Sequence, residues 1–178
     1  MQPISIEDIH ADLKDKFSDM IGELRREPAA TGTPYIIVGR EWIRDICLYL
    51  RDEPRYLMNN LNLLSCVDYR AMKGEEYQER LGVVYHLSSL RSDSGSWKTL
   101  HRCALRCYVP ADDPHLPSVA RVWRSADWHE REGYDLLGIV FDEHPDLRRI
   151  LLPDDWEGHP LRKDYKTPDY YNGMKVPY

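Results

Sequence analysis

The sequence predicts an α+β fold, and three observations predict it. Apolar residues recur at three- and four-residue steps near the N-terminus, around residue 45 and again near residue 120. Through the middle they alternate singly, and after about residue 138 regular period gives way to frequent proline. The first pattern marks buried helix faces, the second half-buried strands, and the third extended chain laid along a surface. The expected order is an N-terminal helix, a short strand, a helix, an antiparallel three-stranded meander, a helix, and an extended Pro-rich C-terminal segment. Residues 1–138 are expected to form the α+β domain, and residues 139–178 an extended partner-docking segment and tail.

Ile6, Ile9, Leu13, Phe17, Met20, Ile21 and Leu24 fall on one helix face, and Ser5 precedes them as a candidate N-cap. Its hydroxyl can accept an otherwise orphaned N–H of the first turn. The loop Pro28 to Pro34 breaks the helix ahead of a short strand, Tyr35 to Val38. Trp42, Ile43, Ile46, Cys47 and Leu50 return to helical spacing.

Leu81, Val83, Tyr85 and Leu87 then alternate, as do Cys103, Leu105, Cys107 and Val109. Leu61 to Val67 is more evenly apolar and fits a central strand. The polar stretches Ala71 to Glu79 and Ser92 to Ser96 supply the hairpin loops of a meander. Val119, Val122, Trp123 and Ala126 mark the buried side of a third helix, with Pro117 and Ser118 at its start. Asp127, Arg131 and Asp135 follow at four-residue steps and predict a charge ladder on one flank. Gly133 costs that helix about 1 kcal/mol relative to alanine, and Gly138 is its expected C-terminal stop.

Composition narrows the function classes. Twelve Tyr and five Trp against two Phe suit surfaces where one end of a side chain is buried and the other polar. A formal net charge of −6 argues against a nucleic-acid backbone or anionic membrane surface as the main partner. No apolar stretch approaches the roughly 20 residues that cross a bilayer, and the acidic N-terminus is unlike an import signal. Cys47, Cys66, Cys103 and Cys107 form no CxxC pair and read as small apolar groups in a reducing compartment. On one strand face, Cys103 and Cys107 would stand about 13 Å apart at roughly 3.3 Å per residue, too far for a disulfide or a shared zinc.

The C-terminal third is dense in charge. From Arg121 to Asp164 there are seven basic and eleven acidic residues, with signs interspersed. Pro145, Pro153 and Pro160 stiffen this stretch. Chain of this kind cannot bury itself alone, and its arginine forks suit a surface of complementary pattern.

His129, Glu130, Glu132, Asp135, His144, Asp146 and His159 are all of types that ligate zinc, which suggests a metallohydrolase. Their spacing opposes it, because His129-Glu130 belongs to no HExxH pair and His144 and His159 each sit beside a proline. Glu130 and Glu132 are two residues apart on a helix and point in different directions, so they make no acid/base pair. No GxGxxG, P-loop or cluster-type cysteine spacing is present. No catalytic, cofactor-binding or metal residue is expected.

Three polar blocks carry a family resemblance. They are Ala126-Asp-Trp-His-Glu-Arg-Glu-Gly-Tyr-Asp-Leu-Leu-Gly-Ile, His144-Pro-Asp-Leu-Arg-Arg-Ile-Leu-Leu-Pro, and Trp156-Glu-Gly-His-Pro-Leu-Arg-Lys-Asp-Tyr. In order and spacing they closely resemble the signature of the 30 kDa (C) subunit family of respiratory NADH:quinone oxidoreductase (complex I). Glu143 departs from the pattern, where many members carry glycine.

The resemblance implies a cofactor-free subunit of a hetero-oligomer, peripheral on the cytoplasmic side of a bacterial membrane. Its implied neighbours are the quinone-site (D) subunit and the terminal-cluster (B) subunit. The implied complex passes electrons from NADH through FMN and iron–sulfur clusters to quinone and translocates protons. The expected partner interface comprises Glu130, Arg131, Glu132, Asp135, His144, Asp146, Arg148, Arg149, His159, Arg162, Lys163 and Asp164. Within it, Arg148, Arg149 and Arg162 clamp the partner while Asp146 and Asp164 orient them. Glu130 and Arg131 tie the helix to the strand that follows. Lys166 to Tyr178 is read as a further strap. The alternatives are an equivalent subunit of a membrane-bound hydrogenase or non-NADH dehydrogenase, and a stand-alone binding module.

Overall fold

A computed structural model describes residues 2–26, 33–70 and 80–176. Helix α1 (Ile6–Phe17) opens with Ser5, whose side chain accepts the Asp8 N–H as expected of an N-cap. The helix stops at Phe17, short of the predicted Leu24. A one-turn 3-10 segment, Ser18–Met20, leads instead into strand β1 (Ile21–Arg25). Met20, Ile21 and Leu24 fit a helical period, but Ile21 and Leu24 instead pair with Val38 and Ile36 of β2 (Tyr35–Val38).

Helix α2 (Ile43–Asp52) buries Ile43, Ile46, Cys47 and Leu50, the stripe read from the sequence. Strands β3 (Asn60–Asp68), β4 (Leu81–Asp93) and β5 (Ser96–Val109) form the predicted antiparallel meander. The β4–β5 hairpin turns on two residues, Ser94 and Gly95, at φ +50° and +86°. Positive φ at both central positions gives a turn whose twist matches the flanking strands. The earlier hairpin loop, Ala71 to Glu79, lies outside the described residues.

The sheet runs β1-β2-β5-β4-β3, with β2 parallel to β5. β3 is therefore an edge strand and not the central one its even apolarity predicted. Leu63 is 43% exposed there, whereas Leu61 and Leu64 point into the core. That core joins α1 and α2 to the inward residues of the sheet, such as Val83, Tyr85, Leu105 and Cys107. Burying each large aliphatic side chain contributes about 1.5–3 kcal/mol. All four cysteines are free, and burial pushes the Cys103 thiol up to about 12.

Strand β6 (His115–Pro117) pairs in parallel with β7 (Val140–Asp142), so Pro117 belongs to a strand and not to a helix start. Helix α3 begins later than predicted, at Ala126, and runs to Leu137. Val119, Val122 and Trp123 are buried as expected, but in the turns leading to α3. Gly138, at φ +68°, stops α3, with Gly138 N–H on Tyr134 O and Ile139 N–H on Gly133 O. This is the left-handed glycine cap foreseen for that position. Small strands β8 (Tyr170–Tyr171) and β9 (Met174–Lys175) pair near the C-terminus.

Gly133 is where α3 meets β3. A Cβ there would stand 2.5 Å from Cys66 Sγ and 3.3 Å from Phe141. Alanine gains about 1 kcal/mol of helix propensity, but overpacking a core costs about 1–3 kcal/mol. Gly133→Ala is therefore expected to lower stability by about 1 kcal/mol, read as a lower urea midpoint at unchanged m-value. A raised midpoint would show that the packing of α3 on β3 is loose.

Candidate partner-docking site

The C-terminal segment lies on α3 of its own chain, residues 146–165 forming a strap. Asp135 is fully buried, and its Oδ2 accepts three consecutive backbone N–H groups, from Ile150, Leu151 and Leu152, at 3.0, 2.7 and 3.0 Å. Arg149 Nη1 donates to Asp135 Oδ1 at 2.8 Å, and its Nη2 reaches the carbonyls of Trp156 and Gly158. Burial pushes the Asp135 carboxyl up, but the amides and Arg149 outweigh it and hold the group below the usual carboxylate range.

The same segment completes the end of α3. Helices leave their last carbonyls without intrahelical donors. Here Asp135 O receives Arg149 and faces His159 Nδ1 at 2.9 Å, Leu136 O takes the Leu161 N–H, and Leu137 O takes Arg162 Nε. Arg162 also reaches Gly138 O. Cationic groups at a helix C-terminus are favoured by the peptide dipoles. Burial, the largest influence, holds the His159 imidazolium and the Arg162 guanidinium below their ordinary values.

Farther along, the strap reaches the end of β3. Asp68 Oδ2 accepts the Lys163 N–H at 2.7 Å, and Arg80 forks between Asp68 and Asp164. Burial raises Asp68, yet the Arg80 fork and two backbone amides bring it down to about 2. Trp156 donates to Tyr165 OH and meets the Tyr171 ring at a tilt, and Tyr171 donates to Asp155. Tyr171 therefore holds the tail to this chain while Tyr170 stays exposed. Pro177 and Tyr178 lie outside the described residues.

The twelve residues expected at an interface divide into two groups. Glu130, Asp135, His144, Arg149, His159 and Arg162 turn inward, their polar groups engaged within the chain. Glu132, Asp146, Arg148, Lys163 and Asp164 are exposed. Arg131 is buried as well: Nε donates to Arg148 O, and the guanidinium lies over Trp128. Arg131 thus ties α3 to the following segment, as expected. Glu130 holds the preceding loop through Ser118 and Val119 and lies 3.8 Å from His144 of the following turn.

The predicted ladder of Asp127, Arg131 and Asp135 does not form. Arg131 and Asp135 both turn to the strap, because a backbone nest and a second arginine offer more than neighbours along one helix flank. Exposed apolar groups surround this unit: Trp128 on α3, Leu151 and Leu161 on the strap, and Leu63 on β3. A groove of about 160 Å³ runs between α3 and β3, lined by Leu63, His129, Glu132, Leu136 and Leu161. Among the described residues no three His, Cys, Asp or Glu side chains converge as metal ligands.

The motif reading missed Asp68, Arg80, Ser118 and Arg44. Asp68 carried a signal, since it continues the inward alternation of Leu64 and Cys66 where an apolar residue would be expected. Arg44 pairs with Glu143 at 2.7 Å, across 99 positions that no local pattern connects. Glu143 itself sits at φ +62°, a left-handed conformation in which glycine carries no steric penalty.

The family model described as "Respiratory-chain NADH dehydrogenase, 30 Kd subunit" matches residues 36–171. The chain belongs to this family. The NADH-quinone oxidoreductase C subunit of Chloroherpeton thalassium is 42% identical over 168 residues, 93% of this chain and 63% of the relative. Its counterpart of the same name from Chlorobium phaeobacteroides is 41% identical over 166 residues, 93% of this chain and 92% of the relative.

Among solved structures, a trypsin-resistant fragment (1-134) of Nqo5 superposes with a TM-score of 0.60 at 32% identity, over 79% of this chain and 98% of that one. A chain of the archaeal membrane-bound sulfane sulfur reductase gives a TM-score of 0.57 at 22% identity, over 90% and 85%, a likeness of fold alone. The three polar blocks fall almost wholly on α3 and the strap, within the matched residues. No helix among the described residues is long and apolar enough to cross a membrane.

Proposed function

We propose that this chain is the cofactor-free docking subunit of a proton-translocating NADH:quinone oxidoreductase, peripheral on the cytoplasmic side of a bacterial membrane. It holds the quinone-site (D) subunit and lies beside the terminal-cluster (B) subunit. FMN, the iron–sulfur clusters and the quinone belong to other subunits. The observation that carries this reading is the division of labour on the strap. Asp135, Arg149 and Arg162 fix it to α3, leaving Asp146, Arg148, Leu151, Leu161 and Lys163 of the strap, and Trp128 of α3, exposed to a partner.

A surface fixed before binding loses little entropy on association, which favours affinity. The exposed Arg148 side chain pairs with Asp146 at 3.0 Å. Arg148→Ala is expected to lower the amount of complex recovered from native membranes several-fold, while the unfolding midpoint of the isolated chain stays put. Arg162→Ala is expected to lower both, since that side chain caps α3. Turnover per assembled complex should be nearly unchanged in each. Normal assembly with collapsed NADH:quinone turnover would overturn the docking role and place the strap in the chemistry.

A further inference from the structure

Three side chains meet at the first turns of α3. The His144 side chain, from the turn after β7, has no exposed surface. Its Nδ1 accepts the Asp146 N–H at 3.0 Å, so the ring proton sits on Nε2. Nε2 lies 3.2 Å from the Asp127 carbonyl, 3.6 Å from Asp127 Oδ1 and 3.8 Å from Glu130 Oε2. Asp127 Oδ1 is buried with no hydrogen-bond partner. Glu130 is fully buried, with Ser118 Oγ at 2.5 Å and the Val119 N–H at 2.7 Å.

Among the described residues, the surroundings offer no other cation. The titratable groups that feel Glu130 from other elements are the thiols of Cys47 on α2 and Cys66 on β3, and the Tyr85 phenol on β4. Arg131, the next residue, turns away to Asp146 and Arg148. Two carboxylates therefore face one imidazole in a largely buried site.

We propose that Asp127, Glu130 and His144 form a proton-operated latch. It joins the 118–119 loop, the start of α3 and the 143–146 turn that feeds the strap. With a proton on Glu130, donated to Ser118 Oγ, the trio carries a net charge of −1. Without it, two carboxylates confront a neutral ring at −2, and the latch loosens. Burial pushes Glu130 up to about 7, and the Asp127 charge adds to this against two opposing hydrogen bonds. The closed latch thus holds the proton more tightly than an opened one, whose exposed glutamate titrates at its ordinary value of 4.5. Opening becomes easier as pH rises from about 5 to 7, by up to about tenfold per unit, and levels off above.

Amide hydrogen exchange on the full chain tests this, with intrinsic rates corrected for pH. The latch needs no partner, so its test is separate from the assembly experiment. The opening constants at Val119 and Asp146 should rise at least tenfold between pH 5 and 7, while Tyr85 in the sheet stays flat. Glu130→Gln mimics the neutral acid, accepting from Val119 and donating to Ser118, and should remove the rise. Asp127→Asn should move its midpoint to lower pH, which keeps the proposal testable if the glutamine variant folds poorly. A flat wild-type profile, an equal rise in Glu130→Gln, or an unmoved midpoint in Asp127→Asn would each overturn the latch.

Discussion

Asp135→Ala is expected to destabilise the folded chain by about 3–5 kcal/mol, because it leaves a largely buried arginine and three amides without their acceptor. The carboxylate is fully buried and accepts the N–H groups of Ile150, Leu151 and Leu152. Removing it should free the strap before the sheet is disturbed. Exchange at those three amides should speed up to the loop limit, while β4 and β5 amides follow only the drop in global stability. Asp135→Asn keeps one carbonyl oxygen but loses the charge, so it should fall between wild type and alanine. The sign with pH follows from the direction of the shift. A carboxylate held below its unfolded value stabilises fully above that value and loses the contribution as pH falls through the folded one. The wild-type advantage over Asp135→Ala should therefore shrink below about pH 4. An alanine variant within about 1 kcal/mol of wild type would show that the strap is held elsewhere.

Much of this molecule is legible in its residues, and the remainder is not for physical reasons. The meander follows from alternation because Leu81 to Leu87 and Cys103 to Val109 face a single core. Met20, Ile21 and Leu24 fit a helical period and predict a longer α1, and nothing local says that Ile21 and Leu24 will pair with β2. Several charges of the three polar blocks find partners within this chain, which no local spacing reveals. Arg149 and Arg162 read as clamps for another surface, yet they cap the last carbonyls of α3. A buried carboxylate cradled by three backbone amides has no sequence spacing of its own, since it depends on where the strap lands. Arg80 gives no signal for the same reason, and Asp68 only its break in the alternation of β3, since both are joined to the strap only through the fold.

That second anchor gives the other large effect. Arg80→Ala leaves Asp68, whose side chain is wholly buried, without its ion-pair partner, and the expected loss is about 3 kcal/mol. Arg80→Lys should recover less than half, because an ammonium cannot serve Asp68 and Asp164 with one planar fork. With its folded value at about 2, Asp68 supplies stability above the ordinary carboxylate range and loses it between about pH 4 and 2, of order 2 kcal/mol. Acid unfolding of Asp68→Asn should therefore be flatter across that window. The two anchors hold different stretches, Ile150 to Leu152 at Asp135 and Lys163 to Asp164 at Asp68. In Arg80→Ala the amides of 162–165 should exchange faster while those of 150–152 keep their protection, and Asp135→Ala should show the reverse. If the strap is clamped twice, the double variant should lose about the sum of the two single losses, within about 0.5 kcal/mol. A loss far below the sum would mean that releasing either end already frees the whole strap, and that its outward face is one cooperative unit.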